Sequence, residues 1–249
     1  MSLRHRVAGL LLLAFPFSVG CASTQGEQHT SMPHPHGHDT TSRAEHQHAH
    51  GPGHFSDPSR YVASWNSPER DAWQHPEEII ANLGLAPGMH VVDLGAGTGY
   101  LVPKLSAAVG DEGRVTATDV EPAMVDYLRE VQAREGWRNV EAMLTPTDDP
   151  RLVPESIDAI VTLNVWHHVD HRTTYAKKLY EALRPGGVFL VVDYLPEETE
   201  GGGPPLAMRL SAEAVMTELR DAGFVVEQPE EGMPRHYLVR GKKPSPAFD

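Results

Sequence analysis

Cysteine is nearly absent: the 249-residue chain has one, Cys21. That excludes an internal disulfide framework, a four-cysteine zinc site and an iron–sulfur cluster. Positive charge is scarce, with 21 Lys and Arg against 34 Asp and Glu and a formal net charge of −13. Nucleic acid is therefore not expected as a partner, although a local basic groove stays open. Long apolar runs are missing outside the first 20 residues, and the run there falls short of the roughly 20 apolar residues that a spanning helix needs, so a channel or carrier is excluded. What is present, 40% hydrophobic and 22% charged residues, suffices for one sizeable core.

The first segment, residues 1–21, reads as an address. Arg4 and Arg6 precede an apolar stretch from Val7 to Phe17, broken only by Gly9 and Pro16, and small residues follow at Ser18 and Gly20. This is the pattern of an export signal. Ser18-Val19-Gly20-Cys21 resembles the lipobox of bacterial lipoproteins, with Ser18 where that family prefers Leu. The resemblance implies a lipid anchor on Cys21 and a place in the cell envelope. A plain cleaved signal is one alternative; an unused one, with a cytoplasmic location, is another. Residues 22–54 are rich in Ser, Thr, Gly, Pro and Gln and lack periodic apolar positions. They are predicted to form a disordered linker, because they cannot bury enough surface to offset chain entropy. Eight histidines fall in it (His29, His34, His36, His38, His46, His48, His50 and His54), an arrangement able to gather borderline metals weakly.

From about residue 76 the pattern alternates between helical and strand-like runs, the signature of an α/β fold with a doubly wound parallel sheet. Strands are predicted at His90–Leu94, Arg114–Thr118, Val140–Leu144, Ile157–Leu163 and Val188–Asp193, with helices at Tyr100–Val109, Pro122–Arg134 and Thr173–Leu183 between them. A helix opening on Pro76-Glu77-Glu78 and stopped by Gly84 precedes the sheet. Ser211–Ala222 adds a last helix, and Phe224–Glu227 and Tyr237–Arg240 two more strand candidates. Residues 55–243 are thus one domain and 244–249 a tail.

The chemistry concentrates at the first strand-to-helix turn, Asp93-Leu94-Gly95-Ala96-Gly97-Thr98-Gly99-Tyr100. Its glycines permit a tight turn and let a ligand lie against bare backbone at the carboxyl end of a strand. A dinucleotide fingerprint would need a glycine at position 100, where this chain has Tyr. A nucleoside without a pyrophosphate has no such need. Asp119 ends the second strand, placed to accept both hydroxyls of a ribose. Asp148 and Asp149 follow the third strand, placed toward an adenine edge. Asp93 stands just before the turn, to order it or meet a cation. Three successive strand ends carrying acids describe a pocket for a positively charged adenosine, which S-adenosyl-L-methionine is.

Residues 60–240 resemble a class I S-adenosylmethionine-dependent methyltransferase, of the broad group that includes small-molecule and quinone methyltransferases. The resemblance rests on VVDLGAGTGY (91–100), RVTATDVEPAMVDYLRE (114–130), TPTDDPRLVPESIDAIV (145–161), NVWHHV (164–169) and ALRPGGVFLVVDY (182–194), in that order. It implies a mostly parallel seven-stranded, Rossmann-like sheet ending in an antiparallel hairpin. It also implies cofactor contacts from Asp93, Gly95, Ala96, Gly97, Asp119, Val120, Met124, Asp148 and Asn164. The acceptor is expected to be a small molecule. Asn164, Trp166, His167 and His168 follow the fourth strand toward the methyl position, and His167 or His168 is the candidate base, since imidazole titrates near neutral pH. No metal ligands are expected at the site. Tyr61, Trp65, Trp73 and Gln74 are expected to cap the pocket, and Leu195–Leu210, with three consecutive glycines, to form a lid or wall. Two other readings remain open: a nicotinamide-dependent oxidoreductase, and a non-catalytic envelope lipoprotein whose His-rich tether captures metal.

Overall fold

The structure is a computed structural model and describes residues 55–246. The export signal, Cys21, the linker histidines and residues 247–249 lie outside the described residues.

Seven strands form one sheet: β1 (His90–Leu94), β2 (Arg114–Asp119), β3 (Val140–Leu144), β4 (Ile157–Leu163), β5 (Leu183–Tyr194), β6 (Val225–Glu227) and β7 (His236–Lys242). Their order is β3-β2-β1-β4-β5-β7-β6. The first five run parallel, while β7 is antiparallel to both β5 and β6. The expected fold is therefore present, hairpin included, with β7 inserted between β5 and the edge strand. The central strands are buried on both faces, as parallel sheets are. Val91 packs in the cluster with Ile79, Leu105 and Leu128, and its neighbour Val92 in the opposite one with Leu179, Phe189 and Leu219. This is the period of two that a strand imposes.

Helices cover both faces: α1 (Ser59–Trp65), α2 (Asp71–Gln74), α3 (Pro76–Leu83), α4 (Val102–Val109), α5 (Pro122–Glu135), α6 (Arg172–Ala182) and α7 (Ala212–Asp221). Their ends follow local rules. Pro76 and Pro122 open α3 and α5 at positions whose N–H groups need no partner. Ser211 Oγ caps α7 by accepting from the Ala214 N–H at 3.2 Å.

Most element ends lie within two residues of the sequence reading, and three differences have a clear cause. Strand β5 starts at Leu183, because that residue pairs with Ile157 across a register shift, so Arg184-Pro185-Gly186-Gly187 lies within an irregular strand instead of preceding it. Helix α6 correspondingly ends at Ala182. Helix α4 begins at Val102, two residues late, since Gly99 and Tyr100 still belong to the glycine turn. The strand order reverses between β1 and β4, which opens a crevice at their carboxyl ends.

Candidate functional site

A cavity of about 570 Å³ occupies that crevice, a volume in the range of small-molecule sites. Its floor is the glycine turn. The N–H groups of Gly95 and Ala96 both donate to the Thr118 carbonyl, at 2.9 and 2.8 Å, which docks the turn on the end of β2. Gly95 and Gly97 have φ of 76° and 53°, a region that penalises a β-carbon. A β-carbon at Gly95 would also stand 2.6 Å from the Val165 side chain, and one at Gly97 3.2 Å from the Trp65 ring.

Asp119 closes one side. Its Oδ2 accepts from the Gly97 N–H at 2.9 Å and its Oδ1 from the Glu121 N–H at 3.0 Å. An ionised carboxylate has about four acceptor positions, so both oxygens keep capacity for the hydroxyls of a sugar. Burial raises its pKa, against the pull of those N–H groups. Val120 and Met124 line the adjoining wall. Met124 is buried and Val120 half-exposed.

Asp93 lies beneath the turn, buried, and lines the cavity too. Burial pushes its carboxyl up to about 7, the Asp119 charge adds to the shift, and Arg70 opposes it. The sign is determinate. A folded value above that of a free carboxyl means that the folded protein binds the proton more tightly, so its contribution to stability is complete below about pH 4 and lost as pH rises through about 7. Ligand-free Asp93→Asn is therefore expected to flatten the fall in melting temperature between about pH 4 and pH 7, by a few degrees; a parallel slope in the variant would contradict this.

The segment after β4 supplies the far wall. Asn164 has φ of 61°, a conformation that Asn tolerates better than most residues, and its buried Oδ1 has no hydrogen-bond partner. His167 is 4% exposed, and its Nδ1 lies 2.7 and 3.0 Å from the two carboxylate oxygens of Asp193. Asp193, 1% exposed, also accepts from the N–H groups of His167 (3.1 Å) and Tyr194 (2.8 Å). A carboxylate only accepts, so Nδ1 carries the proton and Nε2 is left with a lone pair. His168 lines the cavity as well, its ring 4.1 Å from that of His167.

Residues from before the sheet cover this basin. Trp65 and Trp73 line it as expected, whereas Tyr61 supports Trp65 from behind by stacking at 4.5 Å, and Gln74 is buried, accepting from Arg70 at 3.1 and 3.3 Å. Asn66 and Thr98 exchange two hydrogen bonds, Asn66 Nδ2 to the Thr98 carbonyl at 2.9 Å and Thr98 Oγ1 to Asn66 Oδ1 at 2.7 Å. The Tyr100 hydroxyl donates to Asp71 at 2.6 Å. The residue that breaks the dinucleotide fingerprint therefore ties the cover to the turn. Gly201 and Pro204, in the loop after β5, form the remaining rim.

Of the residues expected from sequence, Asp93, Gly95, Ala96, Gly97, Asp119, Val120, Met124, Asn164, His167 and His168 all converge on this cavity. Asp148 does not. The chain turns at Thr147-Asp148, leaving Asp148 exposed, and Thr145 and Thr147 line the wall in its place. Asp149 instead closes a local turn by accepting from the Arg151 N–H at 2.8 Å. Trp166 also points elsewhere: it is buried in the core with Nε1 donating to Glu218 at 2.9 Å. Sequence reasoning missed Asp193, Arg70 and Arg235. Asp193 had one available signal, a lone acid ending an otherwise apolar strand. Among the described residues no group of three or more His, Cys, Asp and Glu side chains is placed to hold a metal ion.

The donor set fits an adenosyl sulfonium ligand: bare backbone at Gly95 and Gly97, an open-handed carboxylate at Asp119 and an unpartnered Asn164 carbonyl. Fold and site together define a nucleoside-dependent transferase on an open α/β sheet. The methyltransferase-domain family matches residues 92–189. A solved S-adenosylmethionine-dependent methyltransferase from Aquifex aeolicus is 30% identical with a TM-score of 0.69, covering 75% of this chain and 98% of its own. A ubiquinone/menaquinone biosynthesis C-methyltransferase of Pseudoalteromonas translucida is 30% identical over 124 residues, 49% of each chain. An arsenite methyltransferase of Halobacterium salinarum is 30% identical over 113 residues, 45% of this chain and 29% of that one. This chain spans about half the length of the ubiquinone/menaquinone relatives it matches. It belongs to the S-adenosylmethionine-dependent methyltransferases. Its cofactor is therefore S-adenosylmethionine, and the nicotinamide reading falls away.

Proposed function

We propose that this chain methylates a small molecule at an ionisable O–H, N–H or acidic C–H, with His167 as the proton acceptor. The observation that carries the proposal is the His167–Asp193 pair, buried in the wall of a bounded cavity that also holds the glycine turn. S-adenosylmethionine, when bound, supplies a methyl group on a sulfonium, which is already electrophilic. The chain's own residues must then hold the acceptor in line, keep water out and remove a proton. Asp119 and the glycine turn would hold the nucleoside, with Asn164 Oδ1 accepting from a donor nearer the methyl end. Asp193 positions His167 by fixing the proton on Nδ1, which leaves Nε2 to take the acceptor's proton. Trp65, Trp73 and Phe55 shield the basin with apolar rings. The two relatives named for quinone biosynthesis and for arsenite support a small acceptor over a protein or nucleic acid.

Labelled methyl transfer to a panel of quinols, phenols, amines and trivalent arsenicals tests this. Transfer to at least one small acceptor, dependent on His167, is the expected result. Transfer only to protein or nucleic acid would end the proposal. The N-terminal pattern supports a place in the cell envelope through Cys21. Cys21→Ala is expected to move the protein from the membrane to the soluble fraction, and an unchanged distribution would remove the anchor.

A further inference from the structure

Arg235 stands at the end of the cavity away from Asp119, immediately before β7, and it lines the wall. Its guanidinium makes no hydrogen bond or ion pair among the described residues; it lies over the Trp73 ring, 4.3 Å from the centroid. Arg70, 8% exposed and also in the wall, shares that indole at 5.7 Å and lies 4.0 Å from the centre of the Tyr100 ring. Its hydrogen bonds go to neutral acceptors, the Trp65 carbonyl at 2.8 Å and the Gln74 amide oxygen. Arg209 adds a third cation 5.6 Å from the Tyr194 ring centre, spending its donors on the carbonyls of Pro204, Leu195 and Glu197. Two guanidiniums, those of Arg70 and Arg235, thus line one end of the pocket, in a chain with a formal charge of −13.

The ordinary explanation of a half-buried arginine is a carboxylate partner, and three other arginines have one: Arg172 with Glu218, Arg184 with Asp158 and Arg240 with Glu227. Arg235 has none. His236, next to it, is not a substitute anion and not a cation either. It is fully buried between Trp73 and Tyr194 with neither ring nitrogen hydrogen-bonded, and burial pushes it down to about 3, so it stays neutral. The loop opposite is built to admit the guanidinium. Gly201 lines the cavity, and a β-carbon there would fall on the Arg235 guanidinium.

We infer that the methyl acceptor carries an oxyanion, a carboxylate or phosphate group, seated by Arg235 with Arg70 behind it, and that its body lies against Trp73 and Tyr194. An arginine fork is suited to such groups, and aromatic faces to a flat apolar body. The placement agrees with the chemistry proposed above. Tyr194 pairs with His236, and Asp193 with Tyr237, so Arg235 lies at the same end of the sheet as the acid that positions His167. An acceptor anchored at Arg235 would extend toward that histidine. This inference rests on the methyltransferase reading of the cavity.

The test uses protein saturated with S-adenosylhomocysteine and titrated with paired probes: 4-hydroxybenzoate against 4-hydroxybenzamide, 4-hydroxyphenyl phosphate against phenol, and 1,4-dihydroxy-2-naphthoate against its amide. Wild-type protein is expected to bind at least one anion roughly tenfold more tightly than its neutral partner, as a charge-assisted bond predicts. Raising the salt from about 0.05 to 0.5 M should weaken the anion and spare the neutral probe. Arg235→Gln should reduce the preference to within about threefold and Arg235→Lys should retain part of it, both with unchanged S-adenosylhomocysteine affinity. If no anion in the panel binds more tightly than its neutral partner, the inference is overturned. It is equally overturned if Arg235→Gln weakens S-adenosylhomocysteine as much as the anion, since the cation would then serve the cofactor's own carboxylate. Failure of wild-type protein to bind S-adenosylhomocysteine at all would instead remove the reading of the cavity on which this rests.

Discussion

His167→Ala is expected to slow methyl transfer to a protic acceptor about 10²- to 10⁴-fold at neutral pH, while S-adenosylhomocysteine binds within a factor of about three of wild type. The reasoning is geometric. The side chain lines the cavity, its Nδ1 is engaged by Asp193 at 2.7 Å, and the remaining ring nitrogen is the only part left to meet a ligand. Asp193→Asn separates positioning from packing. It preserves volume but offers Nδ1 an amide in place of a carboxylate, so kcat should fall by at least tenfold with KM little changed. The downfield proton resonance of a histidine Nδ1–H bound to a carboxylate should vanish in the same variant. Unchanged kcat in both variants, with the acceptor still methylated, would show that the nucleophile needs no base. His168→Ala is the control; since Asp193 positions His167, it should cost less than His167→Ala.

Asp119→Ala should abolish the rise in melting temperature that millimolar S-adenosylhomocysteine gives the wild-type protein. Two charged hydrogen bonds to a ribose are worth roughly 1.5–3 kcal/mol each, so loss of both means at least a 10²-fold weaker complex. Asp119→Ala also strands the N–H groups of Gly97 and Glu121, which loosens the turn itself. Gly95→Val approaches the same site by a different route. It puts a branched side chain at φ of 76° and against Val165, and a β-branched residue tolerates neither. Both variants should lose the ligand-induced shift, and Asp119→Ala should also melt lower without ligand, because two N–H groups lose their acceptor. A full ligand shift in Asp119→Ala would place the sugar elsewhere.

Much of this site could be read from sequence because it is local. The glycine turn, Asp119 and the histidines each follow directly from the end of a strand, and strands β1, β3 and β4 were delimited end to end by their apolar runs. What escaped depends on contacts between distant segments. Asp193 matters only because the turn after β4 returns His167 to β5, and Arg235 matters only because β7 runs antiparallel beside it. Arg70 becomes a pocket residue when residues 55–74 fold across the carboxyl ends of the sheet. Asp148 shows the opposite error. Its place after a strand suggested a site role, yet the tight turn at Thr147-Asp148 swings it to solvent.

The cover formed by residues 55–74 has a kinetic implication. Trp65 lies directly over Gly97, and the Asn66–Thr98 pair latches the two together. A nucleoside held on the glycine turn would lie beneath this cover, so its release is expected to quicken when the two bonds are removed, as in Asn66→Ala. Opening of such a cover can set turnover even when the methyl step is fast.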